Sequence, residues 1–243
     1  MRDFLGKRYW LVGASEGLGR ALALSLSRAG AELIVSARSA ERLESLVAEL
    51  PGKSRAVACD VASSESVTAA AAEVGPVDGM VYLAGVYWPM KAGEWDTERA
   101  VAMCDINLSG AIRTVGAVLP GMIARDAGHI VLTGSLSGFR GLPGAIGYAA
   151  SKAGVMSLAE SMYADLRGTG VQVQVANPGF IKTRLTDQND FRMPFLMTPE
   201  AAAQEMYELM MSDGFKRSYP AAFAAMFRGG QFLPDWLWYR IFR

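Results

Sequence analysis

Tyr148 and Lys152 stand four residues apart in a segment whose pattern predicts a helix, Tyr148–Arg167. At this spacing the phenol and the ammonium would lie on one face, one turn apart. A free tyrosine has a pKa of about 10, and a neighbouring cation favours the phenolate and lowers that pKa. Such a tyrosine could exchange a proton with a carbonyl or alcohol oxygen. Because chance produces this spacing often, the pair needs support from other residues.

Ser135 supplies that support, 13 residues before Tyr148. It follows the apolar run His129–Thr133, which predicts a strand, and the carboxyl ends of parallel strands are where such sheets bind ligands. Its hydroxyl could stabilise charge on a reacting oxygen, although a turn-forming serine is the ordinary alternative. Ser137 competes for the same role, but the strand end favours Ser135.

A glycine-rich turn follows the first predicted strand, Tyr9–Val12. Gly13, Gly17 and Gly19 have the spacing GxxxGxG and precede a predicted helix. Glycines there let the backbone approach a pyrophosphate, and the helix presents free N–H groups to it. Glycines also occur in ordinary turns, but the position between strand and helix favours a dinucleotide site.

The residues after the second and third predicted strands indicate which dinucleotide the site would bind. Ala37 and Arg38 stand where an acidic residue would bind a free ribose 2′-hydroxyl. A guanidinium suits a 2′-phosphate, which favours NADP(H) and leaves NAD(H) possible. Glu16 counts against this, and Arg38 could simply be solvated. Asp60, followed by Val61, could bind the adenine amino group, cap the next helix, or both.

Short apolar runs alternate with helical patterns from one end of the chain to about residue 176. This alternation predicts βαβ units and hence a single Rossmann-type α/β domain spanning 1–243, a doubly wound parallel sheet with helices on both faces. The predicted strands are Tyr9–Val12, Leu33–Ser36, Ala56–Cys59, Gly79–Leu83, His129–Thr133 and Val171–Ala176; the helices are Gly19–Ala29, Ala40–Leu50, Ser63–Val74, Thr97–Val118 and Tyr148–Arg167.

These motifs, in this order, resemble the short-chain dehydrogenase/reductase family up to about Met211. The resemblance implies that Tyr148 is the acid/base, that Lys152 also holds the nicotinamide ribose, and that Ser135 polarises a carbonyl. It further implies that Asn107 holds a water linking Lys152 to solvent, and that Pro178–Thr183 cradles the carboxamide. The implied cofactor residues are Gly13, Ser15, Gly17, Leu18, Gly19, Arg38, Asp60, Val61, Ala84, Gly85, Tyr148, Lys152, Pro178, Gly179, Ile181 and Thr183.

The resemblance implies an oxidoreductase that interconverts a carbonyl compound and an alcohol with NADP(H). The alternative is a dinucleotide-binding module that has lost turnover and senses redox state, against which the intact Ser135, Tyr148 and Lys152 argue. Two departures concern cofactor affinity. Val12 replaces the family's usual threonine, and Tyr82-Leu83-Ala84-Gly85 replaces its Asn-Asn-Ala-Gly.

Composition excludes several other classes. A formal net charge of zero offers no field to gather nucleic acid. His129 is the single histidine, and Cys59 and Cys104 are the two cysteines, so we expect no metal site, disulfide framework or Ser-His-Asp hydrolase. No signal peptide is apparent, and no uncharged apolar stretch reaches about 18 residues. We expect a cytoplasmic protein.

The substrate should meet residues 184–200, Tyr87, Trp88 and the loop 139–146. Apolar side chains there suggest an apolar pocket or the packing of a lid; they are Phe180, Phe191, Met193, Phe195, Leu196 and Met197. The tail 214–243 combines aromatic and basic residues, which suits a membrane interface, a cover over the pocket or a subunit contact. We favour packing over membrane contact, because Pro234 leaves about two turns of helix after it. The apolar helices and the resemblance predict a homodimer or homotetramer.

Overall fold

Strands and helices alternate along the chain in a computed structural model, which describes residues 2–241. The strands are β1 (Arg8–Val12), β2 (Glu32–Ala37), β3 (Ser54–Ala58), β4 (Gly79–Tyr82), β5 (Gly128–Thr133), β6 (Val171–Pro178) and β7 (Lys216–Tyr219). The helices are α1 (Gly17–Arg28), α2 (Ala40–Glu49), α3 (Ser64–Val74), α4 (Thr97–Cys104), α5 (Gly110–Ala124), α6 (Ile146–Asp165), α7 (Pro199–Met211), α8 (Ala221–Gly230) and α9 (Asp235–Ile241).

The seven strands form one sheet in the order β3-β2-β1-β4-β5-β6-β7, and every neighbouring pair is parallel. The chain moves outward from β1 to β3 and then returns to add β4 on the other side of β1. The strand order reverses there, which opens a crevice beyond the carboxyl ends of β1 and β4. The predicted fold, a single Rossmann-type domain, is confirmed.

Helices cover both faces of the sheet, so the strands are apolar on both sides. Leu11 of β1 packs with buried residues of α1, α2 and α7. Its neighbour Trp10 points the other way and packs with α3, α5 and α6. Successive side chains of a strand point to opposite faces, which explains why β1 is a continuous apolar run and lacks alternation.

The sequence did not predict β7, α7 or α8, and for α9 it predicted only that a helix after Pro234 would have about two turns. A helix start is recognisable before α7, since Thr198 accepts a hydrogen bond from Ala201 N and Pro199 occupies the first turn. β7 has four residues, Lys-Arg-Ser-Tyr, at the sheet edge, and this short polar run carries no strand signal. The helix predicted at Thr97–Val118 extends to Ala124 and contains a π turn at Asp105–Ser109.

By length and composition alone, the helical stretch Thr97–Ala124 could cross a membrane. In this fold its residues Ala111, Val115 and Met122 are buried against the sheet. A helix of a soluble core meets the same criterion, so the stretch is weak evidence for a membrane span.

Candidate functional site

A cleft of about 630 Å3 opens along the carboxyl edge of the sheet. It is lined by every residue predicted to act there except Asn107, which lies buried behind it. Within residues 2–241, no three His, Cys, Asp or Glu side chains are grouped as metal ligands. The predicted residues that line the cleft are Gly13, Ser15, Gly17, Leu18, Gly19, Arg38, Asp60, Val61, Ala84, Gly85, Ser135, Tyr148, Lys152, Pro178, Gly179, Ile181 and Thr183.

The turn after β1 needs glycine for two physical reasons. Gly13 has φ +94°, and a Cβ there would lie 2.3 Å from the backbone nitrogen of Ala84. Gly17 begins α1 with φ +54°, close to the side chain of Thr183. Glu16, at the N-cap of α1, makes no side-chain capping bond, which leaves the N–H groups of the first turn available to an anion.

Two arginines line the end of the cleft that lies beside β2 and α2. One of them, Arg38, was identified from the sequence. Arg38 is exposed directly after β2, and Arg42 follows four residues later in the first turn of α2. Ser39 caps α2 by accepting from Arg42 N at 3.4 Å. The position of Arg42 in the first turn of the helix that follows β2 was the signal that could have identified it.

Glu16 does not present a free charge to this end of the cleft. Its carboxylate contacts the guanidinium of Arg42 at 3.1 Å and that of Arg184 at 2.6 Å. Arg184, which sequence analysis also missed, lies in the loop after β6 and lines the cleft. The acid that counted against a bound phosphate is therefore paired with two cations.

Asp60 lies in the cleft after β3 but does not cap α3. Its carboxylate accepts from Ala62 N at 3.1 Å, while Ser63 caps the helix by accepting from Ser66 N at 3.1 Å. The capping alternative is therefore wrong for Asp60, because Ser63 stands one residue before the helix start.

Ser135 and Ser137 have different places in one small network. Ser135 is buried after β5, and its oxygen accepts from the hydroxyl of Ser137 at 2.9 Å and from the backbone N–H of Ser137 at 3.2 Å. A hydroxyl has two lone pairs and one proton, so both lone pairs of Ser135 are engaged. Its own proton is left for Tyr148, with which it hydrogen-bonds, or for a ligand.

The electrostatics around Tyr148 differ from the expectation. Burial raises the pKa of Tyr148 to about 12, and the hydrogen bond with Ser135 opposes this rise. The ammonium of Lys152 donates to the carbonyl of Thr133 at 2.8 Å, and burial outweighs the other influences on the pKa of the phenol. Burial lowers the pKa of Lys152 to about 8. Without a bound cofactor, the phenol thus keeps its proton at neutral pH.

Asn107 anchors the floor of the cleft. In the π turn, its side-chain amide donates to Val86 O at 3.0 Å and to Ser151 Oγ at 2.9 Å, and its oxygen accepts from Val86 N at 2.8 Å. These bonds join the loop after β4 to α6. Tyr82, at one departure from the family motif, donates its hydroxyl to Ile106 O at 2.5 Å and so satisfies a carbonyl of the π turn.

The other end of the cleft is apolar. Tyr87 lines it and packs edge-on against Tyr148, with ring centroids 5.0 Å apart, whereas Trp88 packs away from it against a small core. Phe180 and Phe191 line the cleft; the other expected apolar residues, Met193, Phe195, Leu196 and Met197, do not. Leu142, Pro143, Phe223 and Phe227 complete this end.

The aromatic tail thus covers the apolar end of the cleft through α8. The break expected at Pro234 is present, and α9 after it has seven residues. Phe242 and Arg243, two of the tail residues considered in the sequence, lie outside the described residues.

Comparison with known proteins agrees with this geometry. The short chain dehydrogenase family matches residues 7–192. An uncharacterized oxidoreductase of Myxococcus xanthus is 40% identical over 93% of this chain and 92% of its own length. A 3-oxoacyl-(acyl-carrier-protein) reductase of Thermotoga maritima is 34% identical over 75% of this chain and 77% of its own.

A solved structure of an actinorhodin polyketide ketoreductase with NADPH covers 90% of this chain and 97% of its own, at 25% identity and a TM-score of 0.83. The family match covers β1 to β6, the glycine turn and the segment with Ser135, Tyr148 and Lys152. The chain belongs to the short-chain dehydrogenase/reductase family, whose enzymes act on CH–OH and carbonyl groups.

Proposed function

We propose that the protein is an NADP(H)-dependent reductase that interconverts an apolar ketone or aldehyde and an alcohol. One observation carries the proposal. A single cleft joins Arg38 and Arg42 at one end to Ser135, Tyr148 and Lys152 at the other. Cationic residues for a phosphorylated nucleotide and an acid–base group for a carbonyl therefore share one continuous site.

The residues at the nucleotide end fit a phosphorylated dinucleotide. The uncapped first turn of α1 would hold the pyrophosphate, and Arg38 and Arg42 would hold the 2′-phosphate. Asp60 and Val61 would meet the adenine, while Pro178–Thr183 would meet the nicotinamide end. The nicotinamide ring supplies or accepts a hydride when bound.

At the carbonyl end, this chain's own residues handle the proton. Ser135 donates a hydrogen bond to the substrate oxygen, keeps its proton, and stabilises charge that develops on that oxygen. Tyr148 then donates its phenolic proton to the same oxygen, so that hydride and proton together give the alcohol. The resulting phenolate is stabilised by the ammonium of Lys152, which lies 5.7 Å from the centroid of the Tyr148 ring. Because the pKa of Tyr148 is raised, the phenol holds its proton at neutral pH, which is the protonation state that reduction of a carbonyl requires.

We also propose the type of substrate, the cellular compartment and the oligomeric state. The apolar end suits a substrate with an apolar group beside its carbonyl. Cys59 and Cys104 are both free, which is compatible with a reducing cytoplasm. We propose a homodimer or homotetramer, without nucleic acid and without a membrane-bound tail.

Spectroscopic measurement of NADPH oxidation with a panel of carbonyl compounds tests the proposal. The panel should contain small and bulky ketones, an aldehyde and a 3-oxoacyl thioester, since two of the similar proteins are a 3-oxoacyl reductase and a polyketide ketoreductase. Saturable oxidation with at least one compound is the expected result. Tight NADPH binding without oxidation by any compound would favour the silent dinucleotide-binding module.

A further inference from the structure

Arg140 connects the catalytic loop, which we define as residues 136–147 between Ser135 and Tyr148, to the C-terminal helices α8 and α9. Its side chain is 14% exposed. Arg140 does not line the cleft, unlike Leu142 and Pro143 of the same loop. One guanidinium nitrogen donates to Gly230 O at 2.6 Å and to Leu233 O at 2.8 Å. These carbonyls lie at the end of α8 and in the connection to α9, where helical carbonyls lack partners within the helix. The other terminal nitrogen contacts the carboxylate of Asp235.

The same guanidinium supports an aromatic ring of α9. It lies 5.2 Å from the ring centroid of Trp238, which is 1% exposed, in a cation–π contact. The indole N–H of Trp238 donates to Gly141 O at 3.3 Å. A Cβ on Gly230 would lie 2.0 Å from the Trp238 ring, so the ring can approach α8 this closely only because Gly230 has no side chain. Residues 140–141 thus fasten both ends of the connection between α8 and α9.

We call the contacts of Arg140 and Gly141 with α8 and α9 the fastening. A series of aromatic ring contacts connects it to the cleft. Trp238 packs edge-on against Phe227 at 5.8 Å, and Phe227 packs edge-on against Phe223 at 5.0 Å. Phe223 lies 5.7 Å from Phe180. Phe180, Phe223 and Phe227 line the same cleft as Ser135 and Tyr148. Because packed rings shift together, the position of Trp238 fixes the aromatic wall beside the reacting groups.

We infer that Arg140 is a positioning residue for substrate selection: it holds residues 221–241 against the catalytic loop, so that Phe223 and Phe227 form a fixed wall for a bulky apolar group beside the carbonyl. This inference rests on the proposed function for its substrate class. The fastening itself stands on contacts that do not depend on turnover.

The contacts of Arg140 differ in strength, which gives the inference a graded test. The Asp235 side chain is 87% exposed, so its ion pair is screened and contributes little. The bonds to Gly230 O and Leu233 O are charge-assisted and partly buried, and each contributes more. Arg140→Met should therefore have the largest effect, Arg140→Lys an intermediate one, since lysine lacks the planar fork, and Asp235→Asn the smallest.

Steady-state kinetics with the full-length protein and NADPH test the selection. The two substrates are 2-butanone and 2-decalone. In Arg140→Met we expect the KM for 2-decalone to rise roughly tenfold, while kcat and KM for 2-butanone stay within about twofold. Arg217→Met is the matched control, because Arg217 pairs with Glu205 and Glu208 at the edge strand. Equal losses for both ketones in Arg140→Met, or no change for either, would overturn the inference.

Amide hydrogen exchange tests the fastening without any turnover. Arg140→Met should raise exchange in 221–241 about tenfold and leave the sheet unchanged. Gly230→Ala should do the same by displacing Trp238, and it replaces Arg140→Met if that variant does not fold. Unchanged exchange in both variants would refute the fastening. A wild-type protein that reduces no ketone would refute the proposed function alone.

Discussion

The carboxylate of Glu16 lies 2.6 Å from the guanidinium of Arg184, across the cleft from the glycine turn to the loop after β6. Arg42 contacts the other carboxylate oxygen at 3.1 Å. Opposite charges this close offset each other's field, so Glu16 opposes an incoming phosphate far less than its sequence position suggests. Arg38 makes no such pair among the described contacts and can give its full charge to a ligand.

Replacing Ala37 by Asp together with Arg38 by Leu should change the cofactor preference. The change removes a charge-assisted contact to the 2′-phosphate and adds an acceptor for a ribose hydroxyl. Charged hydrogen bonds contribute about 1.5–3 kcal/mol, so we expect NADPH affinity to fall roughly 10- to 100-fold while NADH affinity rises. Fluorescence titration of both cofactors measures this. Tighter binding of NADH than NADPH by the unmodified protein would contradict the proposed preference.

Glu16→Gln tests whether the Glu16 carboxylate repels the phosphate of NADPH. Because the Glu16 charge is already offset by Arg42 and Arg184, its removal should change NADPH affinity by less than about threefold. A large gain in affinity for NADPH would mean that the carboxylate still repels the phosphate.

Tyr148→Phe should abolish most turnover and preserve cofactor binding. The variant keeps the ring but loses the proton that the phenol gives to the substrate oxygen. We expect kcat to fall about 100-fold or more and the Kd for NADPH to change by less than about threefold. Tyr163→Phe is the control, since Tyr163 lies on the same helix and stacks on Phe215 far along it. Wild-type rates in Tyr148→Phe would exclude the phenol as acid/base.

The rate of carbonyl reduction should fall above about pH 8. Burial lowers the pKa of Lys152 to about 8, so its ammonium is charged below that pH and loses its proton above it. The pKa of Tyr148 is about 12, so the phenol remains protonated through this range and does not cause the fall. We expect kcat/KM to drop by up to about tenfold per pH unit on the alkaline side. A flat profile to pH 10 would show that the charge of Lys152 is not required.

Ile112→Glu should break the proposed oligomer. Ile112 on α5 is 49% exposed, and Ile123 on the same helix is also exposed, whereas Ala111, Val115 and Met122 of this helix are buried. A carboxylate placed within an apolar interface loses its hydration without gaining a partner. We expect light scattering at micromolar concentration to show an oligomer for the wild type and a smaller species for the variant. A monomeric wild type would refute the assembly.

The sequence predicted the features whose local residue pattern matches their place in the fold, namely the buried strands and the residues that follow strand ends. Buried strands such as β1 are continuous apolar runs, and the glycine turn and Ser135 follow strand ends, so both the fold and the cleft residues could be inferred from order alone. The pairing of Glu16 with Arg184 could not, because the two residues are 168 positions apart and no periodicity connects them.

The direction of the pKa shift of Tyr148 could not be predicted from the sequence either. The helical spacing places Lys152 one turn from Tyr148, but the direction of the ammonium depends on the carbonyl of Thr133, to which it donates. Burial of both groups then decides the two pKa values. Likewise, the contact of Arg140 with α8 and α9 depends on helices that carried no clear signal.

His129, the single histidine, should make the protein sensitive to mild acid. It lies buried between Tyr9 and Gln174, whose side chains contact Nδ1 and Nε2 at 2.8 Å each. The Gln174 amide nitrogen donates to three backbone carbonyls, so its oxygen must accept from Nε2. Nδ1 then accepts from the Tyr9 hydroxyl, and the ring is held neutral.

The sign of the pH dependence follows from this neutral ring. Burial lowers the pKa of His129 from 6.5 to about 3, so between these values the unfolded chain binds a proton that the folded chain does not. The contribution of the neutral His129 ring to the free energy of unfolding should therefore be fully present about one pH unit above 6.5. It should fall by roughly 1.6 kcal/mol from pH 6.5 to pH 5, where carboxylates titrate little. Urea unfolding at the two pH values measures this. His129→Gln should abolish the difference even if it lowers stability at both pH values, and Tyr9→Phe should retain it. The same acid loss in His129→Gln as in the wild type would assign the effect to other groups.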